Sequence, residues 1–264
     1  QTDHLRLIQI ADIAGVYGVS FIVLWVNLAL AFVGLRLIKK PSCNWPLVAA
    51  FGLILFCFIY GEYSLRRWND LKPDYTAALL QGNISADQPG QEQVLKLTKG
   101  YGTMADLISP IPVDLLILPE SPSPVSFQED ADYREAMQQL AGRYSLGMIF
   151  NNVASASDGK QMRYYNSAYF LDHKGREIAR YDKMHLVPFG EYIPLRRLFF
   201  FAETVTQDVQ DFTPGSSYTV VHFGDHALHA SVCFEAIFTD LTRRFVKNGS
   251  QLIVNLTNDG WYGT

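Results

Sequence analysis

Residues 227–257 read ALHASVCFEAIFTDLTRRFVKNGSQLIVNLT. Two short apolar runs, ALHASVCF (227–234) and QLIVNLT (251–257), have the composition of strands, and TDLTRRFVKN (239–248) between them has helical spacing. The same alternation continues toward the N-terminus. YTVVHF (218–223) reads as a strand, and a long irregular stretch separates it from a hairpin of YYNSAYFLD and REIARYD turning at His173-Lys174-Gly175. GMIFNNV (147–153) is a strand, residues 130–144 a helix, and DLLILPE (114–120) a continuous apolar strand ended by Pro119. Val94, Leu97, Tyr101, Met104 and Ile108 follow steps of three and four, which is a helix, although Gly100 and Gly102 weaken it. YTAALLQ (75–81) is one more strand. Strands outnumber helices, and the helices fall between strand pairs, so the expectation is a layered α/β domain with sheets inside and helices outside.

The first seventy residues differ in kind. No charged residue occurs from Ile13 to Leu35, nor from Pro41 to Gly61. The first run matches the ~20 residues needed to cross a hydrocarbon core, and the second is near the lower limit. Trp45, Tyr60, Tyr63 and Trp68 suit an interfacial belt. A pair of buried core helices is the alternative. The expectation is a membrane region over 1–70, with spans at about 13–35 and 44–61, followed by a catalytic domain over 71–264. The short connector carries Arg36, Lys39 and Lys40 without an acid, which assigns it to the cytoplasm and the rest beyond Gly61 to the opposite side. Arg66, Arg67 and Lys72 pull the other way. The sequence starts at Gln1 and stops at Thr264 inside a strand-to-loop motif, so it reads as a fragment with an incomplete C-terminal end.

The formal charge of −4 gives no basic surface for nucleic acid. Three cysteines make no disulfide framework. Cys43 and Cys57 lie at or within the second apolar run, whereas Cys233 stands alone in the polar part. His222, His226 and His229 have no supporting Cys or Asp ligand array, and neither a metal nor a cofactor is expected. Asn27, in the first span, reads as an interhelical hydrogen bond.

Glu120, Lys183 and Cys233 each terminate or follow an apolar strand, where a rigid sheet fixes groups that loops leave accessible. A thiol, a carboxylate and an ammonium suit acyl transfer: the thiolate attacks a carbonyl, the carboxylate takes the thiol proton, and the cation favours thiolate and oxyanion. Taken singly, each is more often structural or solvated.

Their neighbourhoods change that. LPES (118–121), KMHLVPFGEYIP (183–194), CFE (233–235) and NDGWYG (258–263) occur in this order, and together they resemble the carbon–nitrogen hydrolase (nitrilase) superfamily. The apolar spans before the domain, ADIAGVYGVSF (11–21), QGNI (81–84) and the long HLVPFGEYIP form of the lysine motif resemble its apolipoprotein N-acyltransferase branch. The resemblance implies a four-layer α-β-β-α sandwich with Glu120 as general base, Lys183 as oxyanion-stabilising cation and Cys233 as nucleophile. It also implies site-shaping roles for Glu191 and Glu235, in orienting Lys183 or the amine or as plain salt bridges. The N–H of Phe234 would be a second oxyanion donor. His185 belongs to the lysine motif without need of a direct role.

The implied reaction moves a fatty acyl chain from a membrane phospholipid, through a thioester on Cys233, to the N-terminal amine of a diacylglyceryl-modified apolipoprotein. The implied setting is the bacterial inner membrane, with the catalytic domain on its outer side. A membrane-tethered amidase or nitrilase-type hydrolase and an inactive membrane scaffold are the alternatives. LRRLFFFAETV (195–205) is read as an interfacial segment in which Phe199, Phe200 and Phe201 guide acyl chains, with ordinary core packing as the other reading. Leu118, Phe234 and the 85–94 loop depart from common family forms.

Overall fold

The computed structural model describes residues 3–38, 43–69, 71–82, 91–121, 123, 125–159, 161–194 and 211–258, with only the backbone given for 91–97. Phe199, Phe200 and Phe201, most of the 85–94 loop, Lys39 and Lys40 of the connector, and the end of NDGWYG lie outside the described residues. The chain divides into two compact units, Gln1–Asp74 and Tyr75–Thr264.

In the first unit a short helix α1 (Leu5–Ile8) precedes α2 (Ala11–Leu37) and α3 (Trp45–Asn69). Both long helices are apolar and long enough to cross a membrane, and most of their side chains are exposed rather than buried within the chain. At 1.5 Å per residue, α3 extends about 37 Å, so its helical hydrogen bonding continues well past the apolar run into Glu62, Arg66 and Arg67. Asn27 does not bridge helices: its Nδ2 donates to Val23 O, one turn back in α2, at 2.9 Å. A polar side chain in an apolar helix satisfies itself most cheaply on its own backbone. Gly15 interrupts α2 with φ 62° and ψ −169°, a conformation open to glycine alone. Gly61 lets α1 approach, since a Cβ there would sit 2.0 Å from the carbonyl oxygen of Arg6.

The second unit holds a five-stranded sheet in the order β1-β2-β3-β4-β5. Its strands are β1 (Ala77–Leu79), β2 (Leu115–Ile117), β3 (Gly147–Ser157), β4 (Met162–Leu171) and β5 (Glu177–Asp182). The pairs β1/β2 and β2/β3 are parallel, whereas β3/β4 and β4/β5 are antiparallel. Thus β2, β3 and β5 run the same way, and the residues following β2 and β5 emerge at one end of the sheet. A second sheet, ordered β6-β7-β8, comprises β6 (Val221–Phe223), β7 (His226–Val232) and β8 (Leu252–Leu256), with β7 and β8 parallel.

Alternation along the strands makes two cores. Leu116, Met148, Phe150, Tyr169 and Leu171 face α4 (Gln91–Ile108) and α5 (Ala131–Tyr144). Leu115, Ile117, Ile149, Ala168, Phe170 and Tyr181 face Leu228, Ala230, Val232, Val254 and Leu256 of the other sheet. The helix α6 (Thr239–Lys247) adds Leu241 and Phe245, and Phe245 stacks on His229 of β7 at 3.8 Å between ring centroids. Helices, sheet, sheet and helix follow one another, which is the layer order the sequence implied. Among the boundaries that differ, the one at the site is the end of β7, which stops at Val232, with Cys233–Ile237 forming a 3-10 helix instead of extending the strand.

Candidate active site

Lys183 follows β5 directly and is gripped through its backbone. Its N–H donates to Asn166 O at 2.8 Å, and its carbonyl accepts the N–H of Gly215 at 2.8 Å. Gly215 has to be glycine for this, because a Cβ would lie 2.1 Å from Asp182 O. The side chain is 1% exposed, and its Nζ meets Glu191 Oε1 at 2.9 Å. An unpaired ammonium so deep would be very costly, and Glu191 supplies the counter-charge. Glu191 is itself held in a tight turn. Its N–H donates to Val187 O at 2.9 Å, while its Oε2 accepts the Val187 N–H at 2.8 Å.

Glu120 comes after β2, just before Ser121 at φ 47°. Its N–H reaches Thr257 O, after β8, at 3.4 Å, so the two sheets are tied at the site. The carboxylate is 6% exposed. Oε1 accepts one long hydrogen bond from Asn166 Nδ2 at 3.3 Å, and Oε2 has no hydrogen-bond partner among the described residues. Burial pushes this carboxyl above the ordinary range, against the opposing pull of Lys183, the Cys233 thiol and Asn166. Cys233 begins the 3-10 helix at φ 50°, a left-handed conformation that costs a non-glycine residue energy and clusters at functional turns. Its thiol is raised as well, first by burial and then by the Glu120 charge, with Thr257 and Lys183 acting the other way. The Glu120 charge thus disfavours the Cys233 thiolate, whereas the protonated thiol, as a hydrogen-bond donor, favours the Glu120 carboxylate.

Asn151, Asn166 and Thr257 were not singled out in the sequence. Asn166 Nδ2 donates to Glu191 Oε1 at 2.7 Å as well as to Glu120. Asn151 Nδ2 donates to Asn166 Oδ1 at 2.5 Å. Both asparagines are nearly fully buried. Uncharged amides inside otherwise apolar strands, GMIFNNV and YYNSAYFLD, are the signal that would have found them, since a buried amide needs partners.

Glu235 is also fully buried, but among the described residues no cation meets it. Its Oε1 accepts from Tyr181 OH at 2.8 Å, Met184 N–H at 2.8 Å and His185 N–H at 3.0 Å, and its Oε2 accepts from Val232 N–H at 3.0 Å. It therefore fastens the residues after Lys183 to the residue before Cys233. The Phe234 ring packs edge-on against Phe238 at 5.2 Å, and its backbone lies at the start of the 3-10 helix, where N–H groups lack intrahelical acceptors. The His185 ring stacks on Phe238 at 4.2 Å. His226 packs against Tyr75, and His229 is buried on Phe245 with its Nδ1 3.3 Å from Ser250 Oγ. Leu118 is fully buried in the core beneath α4 and α5.

Comparison with known proteins bears on the fold and the family. An apolipoprotein N-acyltransferase of Geobacter metallireducens is 34% identical over 98% of this chain and 50% of its own length. One of Thermotoga maritima is 29% identical over 98% of this chain and 46% of its own. The chain spans about half the length of the curated relatives it matches. Among solved structures, a variant of the amidase from Nesterenkonia sp. AN1 superposes with a TM-score of 0.52 at 18% identity, covering 72% of this chain and 71% of that one, a likeness of fold. The carbon–nitrogen hydrolase family model matches residues 76–264, every strand and helix of the second unit, and by that match the chain belongs to the carbon–nitrogen hydrolase family.

Proposed function

We propose that this protein transfers a fatty acyl chain from a membrane phospholipid to the N-terminal amine of diacylglyceryl-modified apolipoproteins, through a thioester on Cys233. The observation that carries this reading is the half-satisfied, buried Glu120 in electrostatic contact with the Cys233 thiol, with Lys183 and Glu191 beside them. The relatives named apolipoprotein N-acyltransferase and the two apolar helices direct it toward lipid substrates. The setting we infer is a bacterial inner membrane, with the second unit on its outer side.

In the first step Glu120 takes the thiol proton as the Cys233 sulfur attacks the ester carbonyl. Lys183 Nζ, which has two N–H donors beyond the one used on Glu191, and the N–H of Phe234 receive the developing oxyanion. The C–O bond breaks, Glu120 returns its proton to the leaving alkoxide, and a lysophospholipid departs. In the second step the lipoprotein amine attacks the thioester, Glu120 takes the amine proton, the C–S bond breaks, and the sulfur is reprotonated. Glu191 holds Lys183, and Glu235 fixes the backbone on both sides of the site. Phe199, Phe200 and Phe201 remain our candidates for acyl-chain contact, tested by their joint replacement with Ser.

Incubating the full-length protein with labelled phospholipid, followed by mass spectrometry of the Cys233 peptide, tests the reading. A fatty acyl adduct that is absent from Cys233→Ala and discharged by a diacylglyceryl-cysteine peptide is the expected result. Release of ammonia from an amide with no acyl adduct would assign a hydrolase instead, and neither product would assign a scaffold.

A further inference from the structure

The two buried amides form a directional chain whose sense is set by backbone groups at the Asn151 end. Ser121 N–H, which can only donate, points to Asn151 Oδ1 at 2.9 Å. Ser167 O, which can only accept, receives a bond from Asn151 Nδ2 at 3.0 Å. These two contacts fix which end of the Asn151 amide is oxygen. Its second amide hydrogen then goes to Asn166 Oδ1, which forces the nitrogen of Asn166 toward the carboxylates, where it donates to both Glu191 and Glu120. With the Asn166 amide reversed, a carbonyl oxygen would face two carboxylates. The Asn151 donor on one side and the two carboxylate acceptors on the other therefore select the same orientation of the Asn166 amide.

We propose that Asn151 is a positioning residue for the acyl-transfer site. It holds Asn166 in the donating orientation and, through Ser121, fixes the turn that presents Glu120. This rests on the reading of Glu120 as the general base. The charged and titratable groups facing Glu120 are Lys183, Glu191 and Cys233, and the Asn166 bond is a neutral donor added to them. Losing that donor disfavours the carboxylate, so Glu120 holds its proton to higher pH.

The test is the pH dependence of Cys233 alkylation by iodoacetamide in the full-length protein, followed at the Cys233 peptide. In Asn151→Ala the acid limb is expected to move up by about one pH unit, the size of one lost hydrogen bond to a charged group. Asn166→Ala is expected to move it similarly, and the double variant no further than Asn166→Ala alone. Should the alanine variant not fold, Asn151→Leu fills the site without hydrogen-bonding groups and carries the same expectation. A slower reaction or a lower Tm with the acid limb unmoved overturns the proposal, as do additive shifts in the double variant. Glu120→Gln in the same assay is the separate control: an unmoved acid limb there defeats the general-base reading itself.

Discussion

Two buried glutamates lie on either side of the lysine loop, and they are treated in opposite ways. Glu235 accepts four hydrogen bonds, from one phenol and three backbone N–H groups. Glu120, almost as buried, has among the described residues one long bond from Asn166 on Oε1 and none on Oε2, with the Cys233 thiol nearby. Leaving a buried carboxylate oxygen unpartnered costs roughly 1–3 kcal/mol or more. The contrast teaches that burial alone does not mark a functional carboxylate. In the reading we propose, the number of donors already committed to it does.

Exchanging the two chemistries breaks the comparison if it is wrong. Glu120→Gln is expected to lower thioester formation by about 10³-fold or more, in the range of a lost general base, with Tm within a degree or two of the parent. A large fall in Tm would make Glu120 a structural residue. Glu235→Ala is expected to do the reverse first: it strands buried N–H groups and removes about 3–5 kcal/mol of stability, read by chemical denaturation. Normal stability in that variant would remove Glu235 from the structural side.

Gly215→Ala sharpens the picture from the other side of the lysine. The added methyl meets Asp182 O at 2.1 Å, so the backbone holding Lys183 must shift. The expected cost is about 1–3 kcal/mol in stability and roughly 10²-fold in acylation rate, because a displacement near 1 Å suffices for that. An unchanged rate would mean that Lys183 does not depend on its clamp.

The smallest effect concerns His229, a buried titratable group that serves packing. Burial lowers its pKa to about 4. Between that value and the ordinary ~6.5 of an unfolded histidine, the unfolded chain binds more protons, so stability falls as the pH drops from about 6.5 to 4. Above 6.5 the contribution is constant. His229→Phe is expected to flatten the Tm-versus-pH curve in that window, measured on the full-length protein, without moving the alkylation profile of Cys233.

Much of this was legible in one dimension. The strand and helix pattern from residue 75 onward, the two long apolar helices, and the positions of Glu120, Lys183 and Cys233 at strand ends all follow from local periodicity and breaker residues, which sequence carries directly. The exit of Cys233 from β7 into a 3-10 helix was not legible, because ALHASVCF is apolar throughout and gives no sign of where the strand yields. Nor was the use of Asn27, whose partner is set by helix geometry.

The sequence by itself determined where most strands and helices lie and which side chains have the chemistry that the proposed acyl transfer needs. Only the tertiary structure decided which carboxylate stays hungry for a proton and which is saturated, since that depends on donors from Asn166, Tyr181, Met184 and His185, all distant along the chain from the glutamate they serve. Hydrogen-bond supply is a property of packed surroundings in three dimensions, and no local run of residues encodes it.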